Sequence, residues 1–105
     1  MDYEKFFSER LAQLRLNAGV SARDMSLSMG QSQGYVNKIE SRQNLPSMTG
    51  FFYICEYLGI TPMEFFDENA NDPKRIREIS EKLQQLTPKQ LLAIEFLIDT
   101  MLQAE

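Results

Sequence analysis

The chain has 105 residues, a length that suits one small domain or a domain with an appendage. Hydrophobic residues make up 43% of it and aromatic residues 10%, enough for a packed core, so a disordered chain is excluded. The formal net charge of −4 argues against indiscriminate nucleic-acid binding, because a nucleic-acid reader usually carries a basic patch.

The sequence predicts a cytoplasmic protein. No run approaches the roughly 20 apolar residues of a membrane helix. The start, MDYEKFF, is acidic, whereas a signal peptide opens on a basic segment followed by an apolar one. Cys55 is the only cysteine, which excludes an internal disulfide and fits a reducing compartment.

The sequence gives no sign of an enzyme, a metal site or a cofactor. Histidine is absent, so there is no histidine base or ligand. Cys55 lies on an apolar helix face and lacks the electropositive, partly exposed setting of a nucleophile. No glycine-rich phosphate loop occurs, and the phenylalanines at helical spacing are assigned to the core and not to a ligand pocket.

The first predicted helix covers residues 2–17 and ends at Gly19. Phe7, Leu11, Leu14 and Ala18 share one face, while Arg10 belongs to the polar faces.

The stretch Ser21–Ser41 reads as two short helices around a turn. Met25 and Met29 are four residues apart, and Val36 and Ile39 are three apart, so each pair forms an apolar stripe. Ser21 can cap the first helix, and Gly30 can take the left-handed conformation that ends it. This is the plan of a helix-turn-helix, with the second helix predicted from Ser32 to about Ser41.

Two further helices complete an N-terminal domain predicted at residues 1–67. The fourth helix runs from a cap at Ser47 to Leu58, with five side chains facing inward: Met48, Phe51, Ile54, Cys55 and Leu58. Gly50 inside it should cost about 0.5–1 kcal/mol relative to alanine, with no reason visible in the sequence. The segment Thr61–Glu64 is a capping box that begins a short fifth helix. No stretch alternates with period two, so the fold class is all-α.

A polar break at residues 67–72 precedes a helical hairpin predicted at residues 73–105. Its first helix starts at Pro73 and carries a narrow apolar stripe. Its second helix follows the capping box of residues 87–90 and runs to about Leu102. The apolar residues of the second helix wrap more than one face, so the hairpin must pack on the first domain or on another copy. We assign it to oligomerisation through Ile76, Ile79, Leu83, Leu91, Ile94, Ile98 and Met101.

Charge is unevenly distributed along the chain. Residues 10–45 hold five basic and two acidic residues, a local charge of +3. Residues 67–105 hold five basic and eight acidic residues, a local charge of −3. Weak non-specific DNA binding with marked salt sensitivity is expected from so modest a positive segment.

Residues 5–67 resemble the helix-turn-helix domain of lambda Cro and repressor proteins, the XRE family. The matching residues, in an ordered spacing, are Leu11, Leu14, Arg15, Gly19, Ser21, Met25, Met29, Gly30, Ser32, Tyr35, Val36, Lys38, Ile39, Glu40, Pro46, Ser47, Leu58, Gly59, Pro62 and Phe65. The resemblance implies a five-helix lambda repressor-like DNA-binding domain, here followed by the two-helix hairpin.

The resemblance also implies the residues that meet DNA. Those facing the major groove would be Ser32, Gln33, Gly34 and Lys38, with Asn37 and Ser41 beside them. Those for phosphates or the minor groove would be Arg23, Tyr35, Arg42 and Asn44. Arg15 and Glu40 match a structural salt bridge of the family. The sequence departs from the family at Ala22, where a phosphate-binding glutamine is usual, and at Gly34, which has no side chain for a base.

Two functions follow as hypotheses. The first is a dimeric, sequence-specific repressor that places its recognition helix in the major groove of a palindromic operator. Its partners would be double-stranded DNA, a second copy through the C-terminal helices and possible protein antagonists. The second is a protein-interaction module, antitoxin-like or an adapter, with weak DNA affinity; the acidic balance, Ala22 and Gly34 favour it.

Overall fold

A computed structural model describes residues 1–104, and its regular elements are helices without any strand. The predicted all-α fold class is thereby confirmed. The helices are α1 (Tyr3–Asn17), α2 (Ala22–Ser28), α3 (Tyr35–Glu40), α4 (Met48–Leu58), α5 (Pro62–Phe65), α6 (Pro73–Leu83) and α7 (Pro88–Gln103). They belong to two compact units, the first Met1–Lys74 and the second from Arg75 onward.

Four predicted helix starts are confirmed by their caps. The side chains of Ser21, Ser47, Thr61 and Thr87 each accept a hydrogen bond from the main-chain N–H three residues later. Each bond satisfies one of the N–H groups that a helix start leaves without a partner. The capping boxes at Thr61 and Thr87 are complete, since Glu64 and Gln90 return a bond to the cap residue.

The first unit is built around an apolar core to which α1 to α5 all contribute. Its buried hydrophobic residues are Leu11, Leu14, Met25, Val36, Ile39, Phe51, Ile54, Cys55, Leu58, Ile60 and Phe65. The fully buried ring of Phe65 lies 4.8 Å from that of Phe7 and 5.1 Å from that of Phe51, measured between centroids. These rings join α1, α4 and α5 at distances typical of favourable aromatic pairs.

Two predictions of inward-facing residues are wrong. Met48 is 67% exposed, because burial along α4 begins only at Gly50. Ala18 is also exposed, since it lies past the end of α1 as its C-cap residue.

Arg10, predicted on a polar face, is buried. Its Nε donates to the Phe65 carbonyl (2.6 Å), and its Nη2 donates to the carbonyls of Glu64 (2.8 Å) and Ala70 (2.7 Å). Burial lowers the pKa of Arg10, and the Asp67 carboxylate partly opposes this effect. A buried charge is tolerated where such partners surround it.

The polar segment after α5 packs along α1. Besides the bond from Arg10 to Ala70, the Gln13 side chain donates to the Asn71 side chain, and Asn17 donates to the Asn71 carbonyl. Residues 67–72 are therefore tied to the first unit.

The second unit has apolar side chains without a buried core. No residue of α7 is buried, and Pro73 is the only buried residue that α6 contains. Large exposed fractions belong to Ile76 (59%), Leu92 (66%), Phe96 (74%), Met101 (58%) and Leu102 (76%). Two helices with this much uncovered apolar surface do not stabilise each other through a core of their own.

Candidate nucleic-acid interface

The turn between α2 and α3 is fixed by glycine and by main-chain hydrogen bonds. Gly30 has a φ of +75°, in the left-handed region that glycine adopts without steric cost. The Gln31 N–H returns to the Ser26 carbonyl at 2.9 Å and closes the end of α2.

The predicted start of the recognition helix at Ser32 is wrong, because α3 begins at Tyr35. The Tyr35 N–H bonds to the Ser32 carbonyl at 3.0 Å, which makes residues 32–35 a turn before the helix. Gly34, a poor helix former, occupies the N-cap position and has no side chain to cap the helix.

A serine from the preceding helix caps α3 instead. The Ser26 Oγ accepts a hydrogen bond from the Val36 N–H (2.9 Å) and donates one to the Ala22 carbonyl (2.7 Å). Ser26 is fully buried, so both bonds are shielded from water. This role of Ser26 was not predicted from the sequence. The available signal was its hydroxyl group within the apolar stripe of α2. The hydrogen bond between Val36 and Ser26 therefore fixes the position of the start of α3 relative to α2.

The helix α3 is held on two sides, at its C-terminal end by α1 and at its start by α4. Arg15 and Glu40 form a two-point ion pair, with Nε–Oε2 at 2.7 Å and Nη2–Oε1 at 3.0 Å, and Arg15 also donates to the Val20 carbonyl. The bond to Glu40 raises the pKa of Arg15 against the opposing effect of burial. Glu40 would otherwise be unfavourable at the negative end of a helix dipole. The pair therefore anchors α3 to α1.

Tyr35 holds the other side through α4. A Cβ built on Gly50 would lie 2.7 Å from the Tyr35 hydroxyl oxygen, so the glycine makes room for this side chain. This explains a residue for which the sequence offered no reason. Burial raises the pKa of Tyr35 above its ordinary value.

The segment that follows α3 is also ordered. Arg42 has a φ of +65°, a rare conformation outside glycine, and the main-chain N–H groups of Gln43 and Asn44 both bond to the Lys38 carbonyl. The Arg42 guanidinium lies 3.8 Å from the Asp2 carboxylate, an exposed pair that partly offsets the charge of Arg42.

The candidate residues occupy one region of the first unit. Ser32 and Gln33 are exposed in the turn, and Asn37 and Lys38 are exposed on α3, whose other face buries Val36 and Ile39. Ser32, Tyr35, Lys38 and Asn44 line one depression of about 440 Å³ that also borders the start of α4.

Six candidates do not line this depression: Gln33 and Asn37, given above, and Arg23, Gly34, Ser41 and Arg42. Arg23 is exposed on α2, while Ser41 and Arg42 are exposed just past the end of α3. Gly34 precedes α3, and a Cβ there would meet only the Lys38 side chain, at 4.0 Å, so the backbone itself does not require glycine.

The burial of Arg10 changes the charge balance expected for this region. Of the five basic residues counted between residues 10 and 45, Arg23, Lys38 and Arg42 are exposed. The exposed positive charge of residues 10–45 is therefore carried by Arg23 on α2, Lys38 on α3 and Arg42 just after α3.

A comparison with protein families identifies the domain. The helix-turn-helix family model matches residues 11–65, just over half of the chain. The chain belongs to the Cro/C1-type, or XRE, helix-turn-helix family. Neither the search of curated proteins nor the search of solved structures returned a match. As a member of this family, the protein is a DNA-binding regulator.

Three further features of this helix-turn-helix protein concern membrane helices, metal-binding side chains and the cysteine. Within residues 1–104, no helix has the length and apolar character needed to cross a membrane. In the same residues, no three side chains of the metal-binding types come together as a group. Cys55 is buried, which raises the pKa of its thiol to about 11.

Proposed function

We propose that this protein is a sequence-specific transcriptional repressor that binds a palindromic operator as a dimer. In each copy, the turn before α3 and the exposed face of α3 enter the major groove. The observation that carries the proposal is the grouping of exposed polar side chains on a recognition element held by its neighbours. Ser26 of α2 caps its start, Arg15 of α1 pairs with its end, and Tyr35 lies against Gly50 of α4. Such anchoring holds the reading groups at one register on the duplex.

The exposed side chains have the chemistry for base recognition. The Gln33 amide suits a two-point contact with adenine, the Lys38 ammonium suits the acceptors of guanine, and the Ser32 hydroxyl can donate or accept. Asn37 and Ser41 flank them, and Gly34 removes one side chain from the set. Arg23, Tyr35, Arg42 and Asn44 are assigned to phosphates or the minor groove.

In this proposal, the two copies of the dimer associate through the hairpin. The exposed apolar residues of α6 and α7 would be covered by the same helices of a second copy, which gives residues 73–105 an oligomerisation role and leaves DNA binding to residues 1–67. A twofold dimer reads half-sites about 34 Å apart, and occupation of such a site would block polymerase.

A protein-interaction module with weak DNA affinity is the second candidate. The net charge of −4, the burial of Arg10 and the pairing of Arg42 with Asp2 support it, because each reduces the positive charge available to DNA.

Selection of bound fragments from random duplex DNA at two salt concentrations tests the first proposal. We expect an enriched palindrome and steep salt dependence. The double variant Gln33→Ala/Lys38→Ala should lose the enriched site, whereas Lys5→Ala, which removes the same charge from an exposed position on α1, should keep it. The absence of any enriched sequence at low salt would favour the interaction module.

Light scattering on the full chain tests the dimer. Ile79→Glu/Ile98→Glu should give the monomer mass and weaken operator binding by about 100-fold, since the second half-site is no longer held nearby. Met63→Glu places one glutamate on an exposed methionine of α5 and should leave the mass unchanged. If the double variant keeps the wild-type mass, the hairpin does not hold the copies together.

A further inference from the structure

An apolar cavity lies in the first unit and shares Leu45 with the depression beside α3. Its volume is about 370 Å³, within the range of small-molecule sites. The lining combines the start of α1 with Leu45, which precedes α4, and with Phe66 and Glu68, which follow α5.

Phe66 lies at the edge of the core, 5.4 Å from Phe51 between ring centroids, and also lines this cavity. Phe66 is 50% exposed and stacks on Phe6, with ring centroids 6.3 Å apart and planes inclined by 17°. The adjacent Phe65 is fully buried and already fills the space between α1 and α4. Tyr3 and Leu45 add further exposed apolar surface to the same lining. These side chains together leave an uncovered apolar surface on the first unit.

Carboxylates outnumber cationic groups in the lining of the cavity by two to one, since the α-ammonium group of Met1 is the cation among the lining residues. Glu4 and Glu68 are its only charged lining side chains, and both are exposed. Within residues 1–104, neither carboxylate has a hydrogen-bond or ion-pair partner. Aromatic faces attract cations through their quadrupole, and two unpaired carboxylates beside them add to that attraction. A neutral apolar ligand would gain nothing from either effect.

We infer that this cavity binds a hydrophobic organic cation, a quaternary ammonium or protonated amine attached to an apolar or aromatic body. The cationic group lies between Glu4 and Glu68, and the apolar body contacts Phe6, Phe66 and Leu45. The inference concerns ligand binding alone and does not depend on the function proposed for α3.

The test uses benzyltrimethylammonium and its neutral isostere neopentylbenzene with the full-length protein. Amide chemical shifts of ¹⁵N-labelled protein should move with benzyltrimethylammonium at Tyr3, Glu4, Leu45 and Glu68. Neopentylbenzene, at matched concentrations within its solubility, should produce at least fivefold weaker binding. Equal binding of the two compounds, or shifts centred elsewhere, would overturn the inference.

Matched variants separate the cavity from general acidity. Glu4→Gln/Glu68→Gln should weaken binding of the cation at least fivefold, and Phe66→Ala should weaken it to a similar extent. Glu56→Gln removes one charge from the exposed side of α4 and should change binding less than twofold. If the same amides move when ligand-free protein is diluted, a second copy covers the cavity and the inference is wrong.

Discussion

The Arg10 guanidinium and the Phe65 main-chain carbonyl are joined by a 2.6 Å hydrogen bond between residues 55 positions apart. Further bonds from Arg10 reach Glu64 and Ala70, so one side chain fastens the end of α5 and the following segment to α1. Arginine suits this position because its planar group carries several donors in fixed directions.

Replacement of Arg10 by methionine should therefore destabilise the first unit. Methionine fills a similar volume but leaves the three carbonyls without their donor, and we expect a loss of about 2–3 kcal/mol in the free energy of unfolding. Arg23→Met, which removes an exposed arginine, should cost less than about 0.5 kcal/mol. Denaturant unfolding measures both, and equal losses would contradict the role of Arg10.

Gly50 and Tyr35 should show energetic coupling. Gly50→Ala would gain helix propensity, about 0.5–1 kcal/mol, but its Cβ would crowd the Tyr35 hydroxyl. Tyr35→Phe removes that oxygen, so Gly50→Ala should be more favourable in the Tyr35→Phe protein than in the wild type. A double-mutant cycle measured by denaturant unfolding gives the coupling, and strictly additive effects would show that the two residues do not interact.

The Cys55 thiol should contribute to the pH dependence of the free energy of unfolding. Burial raises the pKa of its thiol from 9.0 to about 11, so the folded chain keeps a proton that the unfolded chain releases above pH 9. The contribution is complete below pH 9 and is lost as the pH rises toward 11, at up to about 1.4 kcal/mol per pH unit.

Comparison with Cys55→Ala isolates this contribution, because lysines and tyrosines titrate in both proteins. Alanine should lower stability at every pH through the lost side-chain volume, and the difference between the two proteins should shrink above pH 9. Parallel stability curves from pH 8 to 11 would show that the thiol does not contribute.

Asp2 should moderate the DNA affinity contributed by Arg42. Asp2→Asn keeps a side chain able to cap α1 but removes the carboxylate 3.8 Å from the guanidinium. An exposed pair of this kind is weak, so affinity for non-specific duplex DNA at low salt should rise by about two- to fivefold. Glu9→Gln removes an exposed carboxylate from the same helix and serves as the control in fluorescence anisotropy titrations. A rise of the same size for Glu9→Gln would assign the effect to net charge.

Local signals in the sequence were enough to predict the helices. The caps at Ser21, Ser47, Thr61 and Thr87 act within three residues, and Gly30 ends α2 through its own backbone conformation. These features depend on neighbours along the chain, which a sequence displays directly.

Several residues were misjudged or left unexplained because their partners are distant in sequence. Arg10 has the composition of a surface residue, and only the fold brings the carbonyls of residues 64, 65 and 70 to it. Ser26 caps a helix other than its own, and Gly50 is explained by Tyr35, 15 positions earlier. The spacing of apolar residues predicts which face of a helix is buried. It does not predict which groups a polar side chain on that helix will contact.

The uncovered apolar surface of α6 and α7 has a consequence for how such a regulator would respond to its own abundance. If the hairpins cover one another, folding of this segment and pairing of the copies are a single event, governed by concentration. A newly made chain would keep a protease-sensitive tail until it met a second copy, and scarce protein would be degraded faster than abundant protein. Occupation of the operator would then rise more steeply than protein level, so that a small change in synthesis switches the regulated gene.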